Sequence, residues 1–528
     1  VSELPQLPLS TLNNALTGRL SGLYIQQTGT RPGTDDANFL IRGRSSYNNG
    51  QSPLVLVDGV ERDFVDMDIA EIESISVLKD AASLAWYGMS GSNGVLYVRT
   101  KRGSATSTKV TFDALGGVQT PVNVTRPLDS YSFATLYNEA QANSGISPTY
   151  SPSVLEAYRS NLDPQLYPNN NLVKDFLKQA SPVQRYVGTV SGGNAFAKYF
   201  TMFSFFDQAG LYKGGNNPSY NANTNFQRIN FRTNLDIHVN KSLDVSLDVA
   251  GRSATIRYPR DGNGNFLSTI FGTPSNAFPI LNADGTYGGS SLFRSNPKAM
   301  LESRGNISDL TRTLLANVTA KQKLDFITKG LSLNAFYSYD VTSLYASGFT
   351  QNYEVYEFNP TANSYQRYGT KAVIDYANSD FQANVRRNEF WGGLDYDRTF
   401  GEHAINASTR VMRGVVATPG SLLDRREQVS NRLSYGFKQR YFVDLIGTYA
   451  ASETFMPGKR AGFFPAISAG WVASEEGFLK NASFLDYLKL RGSYGLVGND
   501  AISTSRRFMF NTYYNRGGTG YLFGTGYT

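Results

Sequence analysis

The sequence predicts a large antiparallel β-barrel built to cross a membrane, preceded by a small α+β unit. Three observations carry that reading. The first is composition: among 528 residues there are 33 Tyr, 33 Phe and 50 Gly, charged residues make up only 18%, and Cys is absent. Aromatic and β-branched side chains fit a pleated surface, and this balance argues against a string of soluble enzyme domains. The second is a set of long runs with one apolar and one polar face. The third is a rhythm of tight turns alternating with long connections.

The first hundred or so residues form the α+β unit. "LNNALTGRLSGLYIQQ" predicts a short amphipathic helix ending near Gly22. "PLVLVDGVE" holds a buried-type strand, Leu54 to Val57, stopped by the Asp58-Gly59 turn signal. In "DIAEIESISVLKDAASLAWYG", Ile69, Ile72 and Ile75 have helix-like spacing and Ile75 to Leu78 reads as a strand. Asp80 is the expected N-cap of a helix over Ala81 to Tyr87, with Gly88 just past its end. "GVLYVRTK" is again a strand, and the unit ends near Gly103.

After "KRGSATSTK" the pattern changes. In "INFRTNLDIHVNKSLDVSLDVAG", Ile229, Phe231, Leu235, Ile237 and Val239 share one face, and Asn230, Arg232, Asn234, Asp236 and His238 the other. Past a tight turn at Asn240-Lys241, Leu243, Val245, Leu247 and Val249 alternate with Ser242, Asp244, Ser246 and Asp248. A two-sheet sandwich and a lipid-facing barrel with a polar lumen both fit such alternation. Length separates them: sandwich strands run to about 5–6 residues, whereas spanning strands need roughly 9–11.

The connections point the same way. Short turns fall near residues 191–194, 240–241, 327–330, 400–403 and 438–440, and longer segments near 120–182, 209–225, 256–310, 346–385 and 417–430. Short periplasmic turns alternating with long extracellular loops are the habit of outer-membrane barrels. This count gives roughly thirteen strands between Lys109 and Val497. A barrel cannot leave an open edge in lipid, where each unsatisfied backbone group costs several kcal/mol. The 528 residues are therefore expected to be part of a longer protein, as is also expected from an N-terminus, "VSELPQLPLS", without a signal peptide.

Other chemistries find little support. No run of 18 apolar residues predicts a transmembrane helix. Lys and Arg are dispersed and the net charge is +7, so no nucleic-acid partner is expected. Gly88, Gly91 and Gly94 follow a helix and precede a strand, the reverse of a phosphate loop, so a tight turn is expected there. The only histidines, His238 and His403, form no His-Glu-x-x-His pattern, and no Gly-x-Ser-x-Gly elbow occurs. "YPRDGNGNF" spaces Asp261, Asn263 and Asn265 like a Ca²⁺ loop, but Phe266 and Gly272 stand where that loop needs Gly and Glu, so a solvated turn is expected. The reading is a non-enzyme with no cofactor and no metal.

Four stretches identify a family. "LNNALTGRLSGLYI", "FLIRGRSS", "SPLVLVDGVE" and "IAEIESISVLKDAASLAWYGMSGSNGVLYVRTKRG" resemble, in order and spacing, the plug domain of SusC/RagA-type TonB-dependent outer-membrane transporters. "LDYDRTFGEHAINAS" and "GFFPAISAGWVASEEGFLKNASFLDYLKLRGSYGLVGND" resemble barrel segments of that family. Ala81-Ala82-Ser83-Leu84 and Ser90-Gly91-Ser92-Asn93 depart from its usual wording in detail. The resemblance implies a plug, residues 1–105, inside a barrel of about 22 strands, of which residues 106–528 supply the N-terminal portion. It implies import of oligosaccharides or oligopeptides across a Bacteroidetes-type outer membrane, with a SusD-like lipoprotein as lid and energy from the TonB–ExbB–ExbD complex. It extends to dimers of transporter–lipoprotein pairs. The alternative is a receptor or structural component of a larger envelope complex with little transport of its own.

Within that frame Arg42 and Arg44 are expected to pair with barrel-wall carboxylates, for which Asp236, Asp244 and Asp248 are suitable, although ordinary plug-surface arginines fit the same residues. Tyr47, Asn48, Asn49 and Gln51 form a polar loop able to meet a substrate in the cavity, or a plain surface turn. The aromatic residues Phe266, Phe271, Phe278, Tyr287 and Phe293 suit either contact with a lid or glycan or packing within their own loop. Trp391 and Trp471 are expected in interfacial aromatic belts.

Overall fold

The computed structural model describes residues 10–501 and 510–511, apart from residues 28, 30, 35, 36, 44–51, 123 and 480–483. The plug begins with helix α1 (Leu12–Ala15) and an antiparallel pair, β1 (Leu23–Gln27) and β2 (Ala37–Ile41). A four-stranded sheet follows, of β3 (Leu54–Val57), β4 (Val60–Glu61), β5 (Ile72–Leu78) and β6 (Val95–Thr100), in the order β4-β3-β6-β5. β3 runs parallel to β6, and β4 and β5 are antiparallel to their neighbours. The β3–β4 turn has φ 52° at Asp58 and 88° at Gly59, the double positive-φ geometry that an Asp-Gly pair permits. Leu12, Leu16, Val57, Phe64, Met67, Ile72, Leu96 and Val98 fill the plug core.

Ile69–Glu71 is one 3₁₀ turn and Ile72 already begins a strand, so the spacing of Ile69, Ile72 and Ile75 does not mark a longer helix. Helix α2 is shorter than expected, Ala81–Ala85. Asp80 occupies its N-cap position, but its carboxylate makes no cap hydrogen bond.

Thirteen strands then make one sheet in strict chain order. They are β7 (Lys109–Gln119), β8 (Ser181–Gly193), β9 (Ala197–Ala209), β10 (Asn225–His238), β11 (Leu243–Pro259), β12 (Asn306–Lys323), β13 (Leu331–Thr350), β14 (Asp375–Phe400), β15 (His403–Ala417), β16 (Asp424–Phe437), β17 (Tyr441–Ser452), β18 (Ala461–Val472) and β19 (Lys489–Gly495). Each is antiparallel to the next, and β10 pairs with β11 from Asn225↔Arg257 to His238↔Asp244. Strands of this length, paired with their neighbours in sequence, are those of a membrane barrel rather than a sandwich. No helix among the described residues is long and apolar enough to cross a membrane, which a strand-built barrel does not require.

The two faces divide as the alternation predicts. Ile229 and Phe231 on β10 are each 42% exposed, while Asn230, Arg232 and Asn234 on the other face are buried against the plug. Phe203, Leu247, Leu314, Val318, Tyr337 and Phe390 extend the outward apolar band around the sheet.

The long loops carry helices α3 (Ser130–Asn143), α4 (Pro152–Ser160), α5 (Leu172–Phe176), α6 (Gly262–Gly272) and α7 (Pro297–Glu302). "YPRDGNGNF" is thus the end of β11 and the start of α6 rather than a solvated turn, and the Asp261 carboxylate accepts from Arg304 Nε at 2.8 Å. Phe266 is fully buried with Phe176, Tyr212, Ile270, Met300 and Leu301. Phe266 packs across loops, on Phe176 and Tyr212 of neighbouring connections, the buried Phe278 packs on Phe293 of its own loop, and Phe271 stays exposed. The β15–β16 connection, 418–423, is shorter than the turn pattern indicates.

Candidate functional site at the plug–barrel seam

The plug is held to the sheet by buried and half-buried charges, and most of them have the reverse polarity to that expected from the sequence. Six acidic residues, Asp58, Glu61, Asp63, Asp66, Asp68 and Glu71, crowd one stretch of the plug with Arg62 as the only cation between them. Inward-facing arginines of the wall meet five of them. Arg185 on β8 grips the Asp68 carboxylate through both Nε and Nη2. Arg228 on β10 reaches Asp66 at 3.4 Å. Arg232, 1% exposed, bonds Glu71 at 2.7 Å and lies 3.8 Å from Asp58. Glu61 takes Arg387 of β14 and Arg426 of β16, each at 3.1 Å.

Local structure fixes these carboxylates before the wall meets them. Asp68 and Glu71 form a capping box on the 3₁₀ turn: Ala70 N donates to Asp68 at 2.8 Å, and Asp68 N donates to Glu71 at 3.0 Å. Asp58 accepts from Thr100 N at 2.9 Å and from Thr100 Oγ1 at 2.7 Å. Charge-assisted, bidentate contacts to such pre-oriented groups are the stronger class of hydrogen bond.

Two plug arginines reach the other way. Arg62, 4% exposed, donates to both Asp340 oxygens of β13, at 2.7 and 2.5 Å, and to Asn317 of β12 at 2.6 Å. Arg102 bridges Asp236 at 2.6 Å and Asp248 at 2.8 Å. Those two wall carboxylates were suitable partners on sequence grounds. Asp244 instead holds His238 at 2.6 Å.

Arg42 requires a correction. Its guanidinium, 59% exposed, donates to Lys79 O at 2.8 Å and to Asp80 at 3.2 Å, both within the plug. A nearby carboxylate after β5 captures the side chain, and Asp80 itself reaches the wall through Arg491 of β19 at 3.6 Å. Arg44, Tyr47, Asn48, Asn49 and Gln51 lie outside the described residues. The sequence signal for the true seam was the acidic stretch from Asp58 to Glu71 facing arginines at alternate strand positions.

Around α2 the seam is aromatic. The Trp86 carbonyl accepts from Gln428 Nε2 at 2.7 Å and Ser430 Oγ at 3.1 Å. The Arg410 guanidinium sits 5.4 Å from the Trp86 ring and 3.8 Å from that of Trp391. Trp391 stacks on the buried Phe336 at 5.2 Å, so it faces inward and belongs to no outer belt. Trp471, bonded to Glu476 at 3.1 Å beside Tyr441, does lie at the tight-turn end. Gly88 is required by close approach: a Cβ there would meet Ala450 Cβ at 2.9 Å, and its φ is 55°.

Comparison with known proteins fits this geometry. The family described as TonB-dependent Receptor Plug Domain matches residues 2–95. TonB-dependent receptor P26 of Formosa agariphila is 26% identical over 94% of this chain and 50% of its own length. TonB-dependent receptor SusC of Bacteroides thetaiotaomicron is 23% identical over 96% of this chain and 52% of its own. A solved structure of the RagAB peptide transporter superposes with a TM-score of 0.74 at 20% identity, over 95% of this chain and 60% of that one. The chain is similar to the SusC/RagA-type TonB-dependent transporters, and its first part matches their plug domain. It spans about half the length of the curated relatives it matches.

The seam's acid response follows from its charges. Burial alone would raise the Asp68 carboxyl, but Arg185 outweighs it and holds that group below the usual range. At Glu61 burial likewise raises the carboxyl, and Arg387 and Arg426 overcome it and hold the group below its usual range. Both folded values are depressed, so their contribution is complete above the unfolded values of about 3.9 and 4.3 and is lost as pH falls through the folded ones. Amide exchange of residues 58–71 is expected to keep its neutral-pH protection down to about pH 4 and to lose it progressively below. Unchanged protection at pH 3 would show that these pairs do not seat the plug.

Proposed function

We propose that the protein imports oligosaccharides or oligopeptides across the outer membrane, driven by the TonB–ExbB–ExbD complex and assisted by a SusD-like surface lipoprotein. The observation that carries the reading is the seam. A compact plug is attached to the inner face of a membrane sheet by hydrogen-bonded charges rather than by a dry apolar core. Such contacts fix position sharply, and they can be exchanged for water once a force displaces the plug. The likeness to SusC and to the RagAB peptide transporter supports nutrient import, with peptide as one substrate class. We divide the chain functionally near residue 105, residues 1–105 acting as the movable plug and 106–528 as wall and loops.

Uptake of labelled maltoheptaose and of labelled casein peptides, in cells with and without TonB, tests this. The full-length transporter is expected to take up one of them only when TonB is present. Deleting residues 17–103 is expected to leave an inserted barrel that leaks solutes without energised uptake. Retained TonB-dependent uptake after that deletion overturns the reading, and accumulation of neither probe favours a receptor or structural role.

A further inference from the structure

Two cavities lie between the plug and the wall, and they share Trp86 and Tyr87. The larger, about 520 Å³, is lined by Asp80, Asn406, Arg432, Asp444 and Arg491. The smaller, about 180 Å³, is lined by Glu61, Arg387, Arg410, Met412 and Arg426. Strand order places them end to end. On β15, Asn406 and Ser408 toward the tight turn face the larger cavity, and Met412, Gly414 and Val416 toward the long-loop end face the smaller. On β16, Arg432 faces the larger one, while Asp424, Arg426 and Gln428 face the smaller. The pair Trp86–Tyr87 therefore forms a partition across a continuous strip of wall.

The partition is held at one level. Arg410 and Ser430 are direct cross-strand partners, and both grip Trp86, one over the ring and one at the carbonyl. Burial raises the Tyr87 hydroxyl to about 12, so the partition is uncharged on that side at neutral pH. Both cavities carry both signs of charge, Asp80 and Asp444 against Arg432 and Arg491 in the larger one. A strongly anionic or cationic solute meets repulsion from one set, whereas an extended polar chain of low net charge does not.

We infer that the seam between α2 and strands β15–β17 is the permeation route for an extended polar chain of low net charge, with Trp86 and Tyr87 as its gate and Arg410, Gln428 and Ser430 as the latch. This rests on the import reading, and its test needs neither substrate nor TonB. The full-length transporter in planar lipid bilayers is expected to be closed. The double variant Trp86→Ala/Arg410→Ala is expected to raise conductance at least about tenfold, since it removes both halves of a cation–π contact across the gate. Arg159→Gln, whose exposed pair with Glu156 lies within loop helix α4, is expected to conduct like the parent. Parent-level conductance in a folded double variant, or equal opening by Arg159→Gln, overturns the assignment.

A second measurement does not depend on that variant folding. Ser83 lines the larger cavity and these 528 residues hold no cysteine, so Ser83→Cys, with any cysteine of the remaining protein replaced, is a single reporter there. An impermeant maleimide added from the long-loop side is expected to label it at least about tenfold faster when Trp86 is replaced by Leu than in the parent, the gate being the barrier to access. Equal labelling in the two backgrounds overturns the gate. Failure of energised uptake with the leak intact would instead overturn the import reading alone.

Discussion

Arg62→Leu is expected to loosen the seated plug by about 3–5 kcal/mol, the cost of removing one partner from a buried ion pair. Arg62 spans both oxygens of Asp340 and also satisfies Asn317, so its loss leaves a buried carboxylate and an amide oxygen unpaired together. At about 1.4 kcal/mol per tenfold, the unseated population should rise by roughly 10²- to 4 × 10³-fold. Amide exchange within β3 and β4, against parent, reads that change directly. Arg62→Leu/Asp340→Leu should recover much of the loss, because removing both charges of a buried pair is often close to neutral. Parent-like exchange in the single variant would show that the plug is seated by its other contacts alone.

The arrangement gives the plug an attachment that is strong in sum and divisible in steps. The contacts of Arg185, Arg232, Arg62, Arg102 and Glu61 are spread over wall strands from β8 to β16. A pull at one end of the plug meets them in turn rather than all at once. Displaced charges regain water, so each intermediate costs far less than a bare buried charge would. An apolar seam of equal area would expose hydrocarbon to water at every stage of movement.

The barrel was legible because its signal is local. A period of two along β10, with Phe231 outward and Arg232 inward, is written in consecutive residues and survives any tertiary context. The 3₁₀ turn at Ile69 was not legible, since apolar residues three apart suit a helix and a turn leading into a strand alike. The seam was missed for a different reason. Pairing Arg62 with Asp340 joins residues 278 apart, and no spacing rule reaches that far. Arg42 drew attention through its family wording, yet Asp80 lies closer in the fold than any wall carboxylate. The opposing signals, acids crowded up to Glu71 and arginines at 228 and 232, are in the sequence, but nothing local pairs them.

The Gly88→Cys/Ala450→Cys pair should abolish energised uptake when oxidised and regain it on reduction. These 528 residues hold no other thiol, so with any cysteine of the remaining protein replaced the readout belongs to this bond alone. A Cβ at Gly88 lies 2.9 Å from Ala450 Cβ, and a relaxed disulfide needs about 3.5–4.5 Å, a small outward shift of one strand. The positive φ at Gly88 adds about 1 kcal/mol of strain for any L side chain, which the single variant Gly88→Cys measures separately. Tethered there, α2 cannot leave β17 even if every ion pair elsewhere lets go. Full uptake by the oxidised protein would mean that α2 stays on the wall during transport, and that the plug opens along the Arg185–Arg232 side instead. Loss that reduction restores would place the moving boundary at the turn where three glycines, Gly88, Gly91 and Gly94, follow the helix. Gly91 allows that turn to close on Leu84 O, 2.5 Å from where its Cβ would stand, so the turn is compact enough to move as one piece.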